Sequence, residues 1–213
     1  MADNQIKTRG TMFVFSGPSG GGKSSVIKRV LQEVKDIKIS ISVTTRDKRE
    51  GEVEGEDYYF VSDKKFKQMI KDDAFYEYVD SDFGSNYGTP KEPINKMLAA
   101  GQDVILDLDY PGVQQLRSLA GDRVKAIFLM PPSLKILRER LVNRGTDSAE
   151  VIERRMSMAE KRINESVFYD YVVVNDILDN AVEEVKAIVI ASRVEQKNLV
   201  GLDKMIKRVM KDK

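Results

Sequence analysis

Apolar positions change spacing along the chain, and the spacing predicts its elements. "MFVFS" (12–16), "DVILDLD" (103–109), "VKAIFLM" (124–130) and "YDYVVVN" (169–175) are short hydrophobic runs. The last three are nearly continuous, as strands covered on both faces are. Helical periodicity follows the runs at 23–34, 112–120, 133–143 and 178–197, the last extending toward 210. Strands that alternate with helices predict a doubly wound α/β sheet with helices on both faces.

Between residues 37 and 100 the texture differs. "IKISISV" (37–43) alternates strictly, with Ile37, Ile39, Ile41 and Val43 on one side, which predicts one half-buried strand. "DYYFVS" (57–62) and "FYEYVDS" (75–81) are aromatic and β-branched and also favour strands. In "TPKEPINKMLAAG" (89–101), Thr89 suits an N-cap, Pro90 a first helical position and Gly101 the C-terminal cap. The stretch 38–89 thus reads as mainly β, inserted into the α/β core. The charged region 138–162 predicts two helices meeting at Arg144–Ser148, with Asp147 or Ser148 capping the second.

Composition narrows the chemistry. With 35 Lys and Arg against 34 Asp and Glu, the chain is not a generally basic nucleic-acid binder, so anion binding must come from local clusters. It has no cysteine and no histidine, which removes disulfides, Cys/His zinc sites and histidine bases together. "MADNQIKTRG" lacks an apolar core and carries Asp3, unlike a secretory signal. No run approaches the roughly 18 apolar residues of a membrane span. A soluble cytoplasmic protein is expected, with no nucleic-acid or membrane partner.

Gly17-Pro18-Ser19-Gly20-Gly21-Gly22-Lys23-Ser24 matches G-x-x-x-x-G-K-[ST], with a strand before it and a helix after it. Glycines let backbone N–H groups converge on phosphate oxygens, and the helix N-terminus adds its dipole. Lys23 then reaches the β- and γ-phosphates of a nucleoside triphosphate, with Ser25 beside it, and the Ser24 hydroxyl binds Mg²⁺. Arg46 and Arg49 lie three apart in "SVTTRDKREGEVEGEDYYF" (42–60), with Tyr58 following. Two guanidiniums and a phenol can hold a second phosphate monoester; a solvated charged loop is the alternative on this segment alone. Asp107 and Asp109 lie two apart at the end of a hydrophobic strand, where either could orient Mg²⁺ waters or an acceptor, or cap the next helix.

Taken in order, "SGPSGGGKSS", S-x-TTR-x-x-R-x-GE-x-x-G-x-x-Y-x-F, "GTP", "LDLD" and RL-x-x-RG resemble the guanylate kinase family from about residue 12 to 176. The resemblance implies a P-loop NTPase core (10–37, 101–135 and 165–197), a nucleoside-monophosphate-binding insertion (38–100), a helical lid (about 136–164) and a C-terminal helical tail (198–213). It implies transfer of a phosphoryl group from ATP, with Mg²⁺, to GMP or dGMP. Arg46, Arg49, Tyr58 and Tyr87 then grip the GMP phosphate, with Gly88 alongside, and Ser42, Glu77 and Thr89 read guanine. Taken alone, Glu77 would pass for the outward residue of a strand. Asp107 and Asp109 fall on the acceptor side, Asp109 also facing the metal through water. Arg140, Arg144 and Arg155 line the lid over the ATP phosphates, and Asn175-Asp176 lies beside adenine; alone, these arginines would read as a solvated face.

The chain departs from the family at Lys48, where proline is usual, at Pro111, where glutamine is common, and at Asn86, where a tyrosine is frequent. "DSDFGSNYGT" (80–89) is also one residue longer than is usual in the family. Two rivals make different demands. A non-catalytic module of the same shape should lack Lys23 or the lid arginines. A kinase of another phosphorylated acceptor should lack the Ser42, Glu77 and Thr89 frame.

Overall fold

The computed structural model describes residues 7–79, 84–145 and 147–211. Asp3 and the segment 80–83, which holds the start of the stretch that is one residue longer than usual, lie outside the described residues. A short strand β1 (Lys7–Thr8) leads into β2 (Met12–Ser16), followed by α1 (Lys23–Glu33) and β3 (Ile37–Ile39). The chain then leaves the core for β4 (Ser42–Thr44), β5 (Tyr58–Phe60), α2 (Asp63–Lys71), β6 (Phe75–Val79), β7 (Tyr87–Pro90) and α3 (Lys91–Ala99). It returns through β8 (Asp103–Asp107), α4 (Tyr110–Ala120) and β9 (Val124–Met130). The helices α5 (Leu134–Asn143) and α6 (Ala149–Asn164) come next, then β10 (Tyr171–Val174), α7 (Leu178–Arg193), β11 (Leu199–Val200) and α8 (Leu202–Val209).

The central sheet has the order β10-β9-β2-β8-β3 and is parallel throughout. All five residues of β2 are buried because both faces are covered. Phe13 and Phe15 pack with Val26 and Val30 of α1 and Val182, Val185 and Val189 of α7. Met12 and Val14 pack the other way, with Ile94 and Leu98 of α3 and Val113 and Leu116 of α4. Truncating a ring such as Phe13 would cost about 3–5 kcal/mol, since transfer and cavity terms add. The second sheet, β5-β4-β7-β6, closes on its own small core of Val43, Phe66 and Phe75. The pair α5 and α6 does the same through Leu137, Leu141, Ile152 and Met156. Among the described residues, no helix is long and apolar enough to cross a membrane.

Several expected elements need correction. The alternating run 37–43 is two strands in different sheets: the Ser40 N–H makes the last bond to β8, at Ile105 O, and β4 then pairs with β5 and β7. Ile37 and Val43 therefore enter separate cores, and Ile39 is exposed. The mainly β stretch also contains α2, capped by Ser62 and buried only through Phe66, which its run of lysines concealed. Pro90 rather than Thr89 precedes α3, because Thr89 is still in β7, paired with Glu77. The strand expected to reach residue 109 stops at Asp107, and α4 starts early, at Tyr110, with Pro111 in its first turn. The last long helix ends at Arg193, so the segment after it forms a strand paired with β1 and a separate helix. At the junction of α5 and α6, Ser148 is the N-cap and accepts from Val151 N.

Candidate active site

The phosphate loop lies at the carboxyl end of β2, where parallel α/β sheets place their ligands. Its glycines are required. Gly22 sits at φ 87° as the N-cap of α1, and a Cβ there would meet Asn175 Nδ2 at 2.2 Å. The first turn of α1 has no capping side chain and no acid, which leaves its N-terminus open to an anion. Asn175 is buried, and its Nδ2 donates to Gly21 O at 2.8 Å. Arg140 donates to the carbonyls of Asn175, at 3.0 Å, and Asp176, at 3.3 Å. The helix α5 is thereby tied to the phosphate loop through the turn after β10.

Lys23 Nζ lies 2.6 Å from Asp107 Oδ1. Arg155 donates to Ser19 Oγ at 2.7 Å, so α6 reaches the same loop. Arg144 is exposed at the C-cap of α5, and Ser24 and Ser25 are exposed in the first turn of α1. The two acids expected on one strand face diverge. Asp107 closes β8 beside Lys23, whereas Asp109 caps α4, accepting from Gly112 N at 3.3 Å, and its charge acts on Glu77. No group of three or more acids able to hold a metal exists among the described residues. A hydroxyl and a carboxylate nevertheless fit Mg²⁺, which keeps its waters and takes phosphate oxygens with one or two protein oxygens.

The second sheet carries the other half. Glu77 on β6 is only 8% exposed and accepts from the Thr89 hydroxyl at 2.6 Å. Burial pushes its carboxyl above the usual range; the Thr89 bond opposes this and the Asp109 charge adds to it. Glu77 thus points inward, which its strand pattern alone did not reveal. Ser42 opens β4 opposite Tyr58. Arg46 forks onto Glu52 at 2.7 and 3.0 Å and lies over the Tyr58 ring at 5.4 Å. The Tyr87 ring meets Tyr58 edge-on, with centroids 6.1 Å apart. Glu52 is held ionised, its carboxyl lowered first by Arg46 and then by the Arg49 N–H at 2.8 Å. The Arg49 side chain is exposed.

Gly88 is buried where a Cβ would strike the Phe75 ring at 2.8 Å, so it serves close strand packing. Sequence reasoning gave no role to Glu52 or Asn86. An acid six residues beyond Arg46 was the available signal for the first. Asn86 accepts at its carbonyl from the Thr44 hydroxyl at 2.9 Å and holds the turn beside Tyr87.

The family model for guanylate kinase matches residues 9–192. A guanylate kinase of Novosphingobium aromaticivorans is 44% identical over 209 residues, covering 98% of this chain and 94% of that protein. One from Zymomonas mobilis is 44% identical over 202 residues, covering 94% and 93%. The crystal structure of guanylate kinase from Anaplasma phagocytophilum superposes with a TM-score of 0.76 at 30% identity, covering 95% of this chain and 96% of that one. With the family model matching residues 9–192 and near-full-length relatives at this identity, the chain belongs to the guanylate kinase family.

Proposed function

We propose that the phosphate loop and the second sheet hold ATP and GMP in line, so that the chain transfers the γ-phosphoryl group directly and yields ADP and GDP. A GMP phosphate oxygen forms the new bond to the γ-phosphorus as the bond to the β-bridging oxygen breaks. That phosphate loses its second proton near pH 6 and is mostly ionised at neutrality, so a chain without histidine lacks no base.

The backbone N–H groups of the 17–22 loop, apart from Pro18, which has none, and Gly21, which donates to Pro18 O, would hold the β- and γ-phosphates together with the Lys23 ammonium. Arg144 and Arg155 would meet the charge on the moving group, and Arg140 would keep the adenine-side turn in place. Bound Mg²⁺ supplies charge neutralisation across the phosphates. Ser24 would hold it, with a strand-end acid reaching it through water. Asp107, beside Lys23, is better placed for this than Asp109. Catalysis is then positioning plus electrostatics.

On the acceptor side, Arg46, Arg49, Tyr58 and Tyr87 would grip the phosphate of GMP. Guanine presents N1–H and N2–H₂ on one edge, which suit the Glu77 carboxylate, while Ser42 and Thr89 hydroxyls suit O6. These contacts address base and phosphate rather than ribose, so dGMP is also an acceptor. On this reading the enzyme works in the cytoplasm, where both nucleotides are available to it. The observation that carries the acceptor reading is the buried Glu77, an acid kept away from water at an energetic cost. A coupled assay with ATP against GMP, AMP, CMP and UMP tests it. GMP turnover far above the others is expected; equal use of AMP, or ATP hydrolysis indifferent to acceptor, overturns it.

A further inference from the structure

Arg155 is held from two sides. One guanidinium nitrogen donates to Ser19 Oγ at 2.7 Å, and the other lies 3.3 Å from Asp147 Oδ1. The second contact is long for a charge-assisted bond, which runs about 2.7–2.9 Å. Asp147 is nonetheless sequestered: its side chain is 10% exposed, and Oδ2 is buried with no hydrogen-bond partner among the described residues. A carboxylate oxygen in that condition is costly to keep. Helix capping does not explain it, because Ser148 caps α6. The pair is half made, with one oxygen loosely engaged and the other waiting for a donor.

An arginine fork supplies two parallel donors to the two oxygens of a carboxylate. We propose that Asp147 is a positioning residue for Arg155. When ATP phosphate takes the nitrogen now on Ser19, the guanidinium turns and its remaining donors close on both oxygens of Asp147. That fixes the plane of the cation against the phosphoryl group and satisfies Oδ2. The inference rests on the reading of Arg155 as a phosphate-side arginine. It adds a residue that touches no nucleotide yet sets the rate.

The test is a double-mutant cycle on the full chain, with turnover, KM for GMP and thermal midpoint measured together. Asp147→Asn keeps the volume and removes the charge. Turnover should fall about 10- to 100-fold, the scale of a misplaced catalytic group, with KM for GMP within about two-fold. Asp147→Glu should recover part of the loss. In an Arg155→Ala background, Asp147→Asn should add nothing. Where the Asn variant fails to fold, Asp147→Ser supplies the same comparison. Turnover within about two-fold of the parent, or an equal further loss in the Arg155→Ala background, overturns the proposal and leaves Asp147 a structural residue. If Arg155→Ala itself keeps full turnover, the reading of Arg155 falls first and this one with it.

Discussion

Around Lys23 the site is made of backbone held in place by its surroundings, whereas around Arg46 and Glu77 it is made of side chains that satisfy one another. A side chain at Gly22 would be strained at φ +87° and would displace Asn175, whose Nδ2 stands 2.2 Å from the Cβ position and which is held by Gly21 and Arg140. The backbone of the loop is thus braced by groups from three segments of the chain. On the acceptor side, Arg46 is already neutralised by Glu52, and one oxygen of Glu77 is already used by Thr89. A monophosphate must enter an occupied network and share or replace its partners. Preformed donors favour tight, base-independent phosphate binding. Exchangeable side-chain pairs favour discrimination, because a wrong base leaves buried groups unpaired.

The comparison predicts effects of different size and target. Lys23→Ala should reduce turnover by about 10³-fold or more, as loss of a group facing transition-state charge does. It should leave KM for GMP nearly unchanged, because Lys23, paired with Asp107, is proposed to serve the donor phosphates rather than the acceptor. Steady-state kinetics with each nucleotide varied in turn decide this, and turnover within a few-fold of the parent breaks the donor assignment.

Arg46→Ala should weaken GMP by about 1.5–3 kcal/mol, the value of a charge-assisted contact, and spare ATP. Isothermal titration with each nucleotide separates the two. An equal loss for ATP would mean that the loop is not an acceptor clamp.

The smallest effect is in pH. The folded state holds the Glu77 proton more tightly than the unfolded chain does, since burial raises its pKa. This proton linkage favours the fold below the ordinary carboxylate range, and that contribution is lost as pH rises through the raised value. GMP binding runs the opposite way, because the carboxylate must accept from guanine. Affinity should fall on going from pH 7 to pH 5, beyond the change due to GMP's own phosphate. The extra fall should vanish in Glu77→Gln.

The same contrast explains what could be read from the chain. The phosphate loop was legible because its chemistry is local: glycines, Lys23 and Ser24 are adjacent, flanked by a strand and a helix. The core strands were legible from apolar runs covered on both faces. The change of sheet at Ser40 was not, since alternation persists across it while the partner strand changes. Helix α2 hid behind lysines that face solvent. Glu77 was visible only through family resemblance, because burial on β6 depends on β7 and α4 from distant segments. The divergence of Asp107 and Asp109 depends on where β8 stops, which the run "VILDLD" does not mark.

The central claim, that a buried Glu77 reads the acceptor base, is tested most directly by the ratio of kcat/KM for GMP to that for AMP in Glu77→Gln. Glutamine keeps one acceptor and turns the other into a donor facing a guanine donor, with almost no change in volume. GMP should lose roughly 2–4 kcal/mol in kcat/KM. AMP, which offers an acceptor at N1, should lose little or gain, so the ratio should collapse. Unchanged GMP activity and an unchanged ratio would contradict the account and leave Glu77 a strand residue, with guanine read elsewhere.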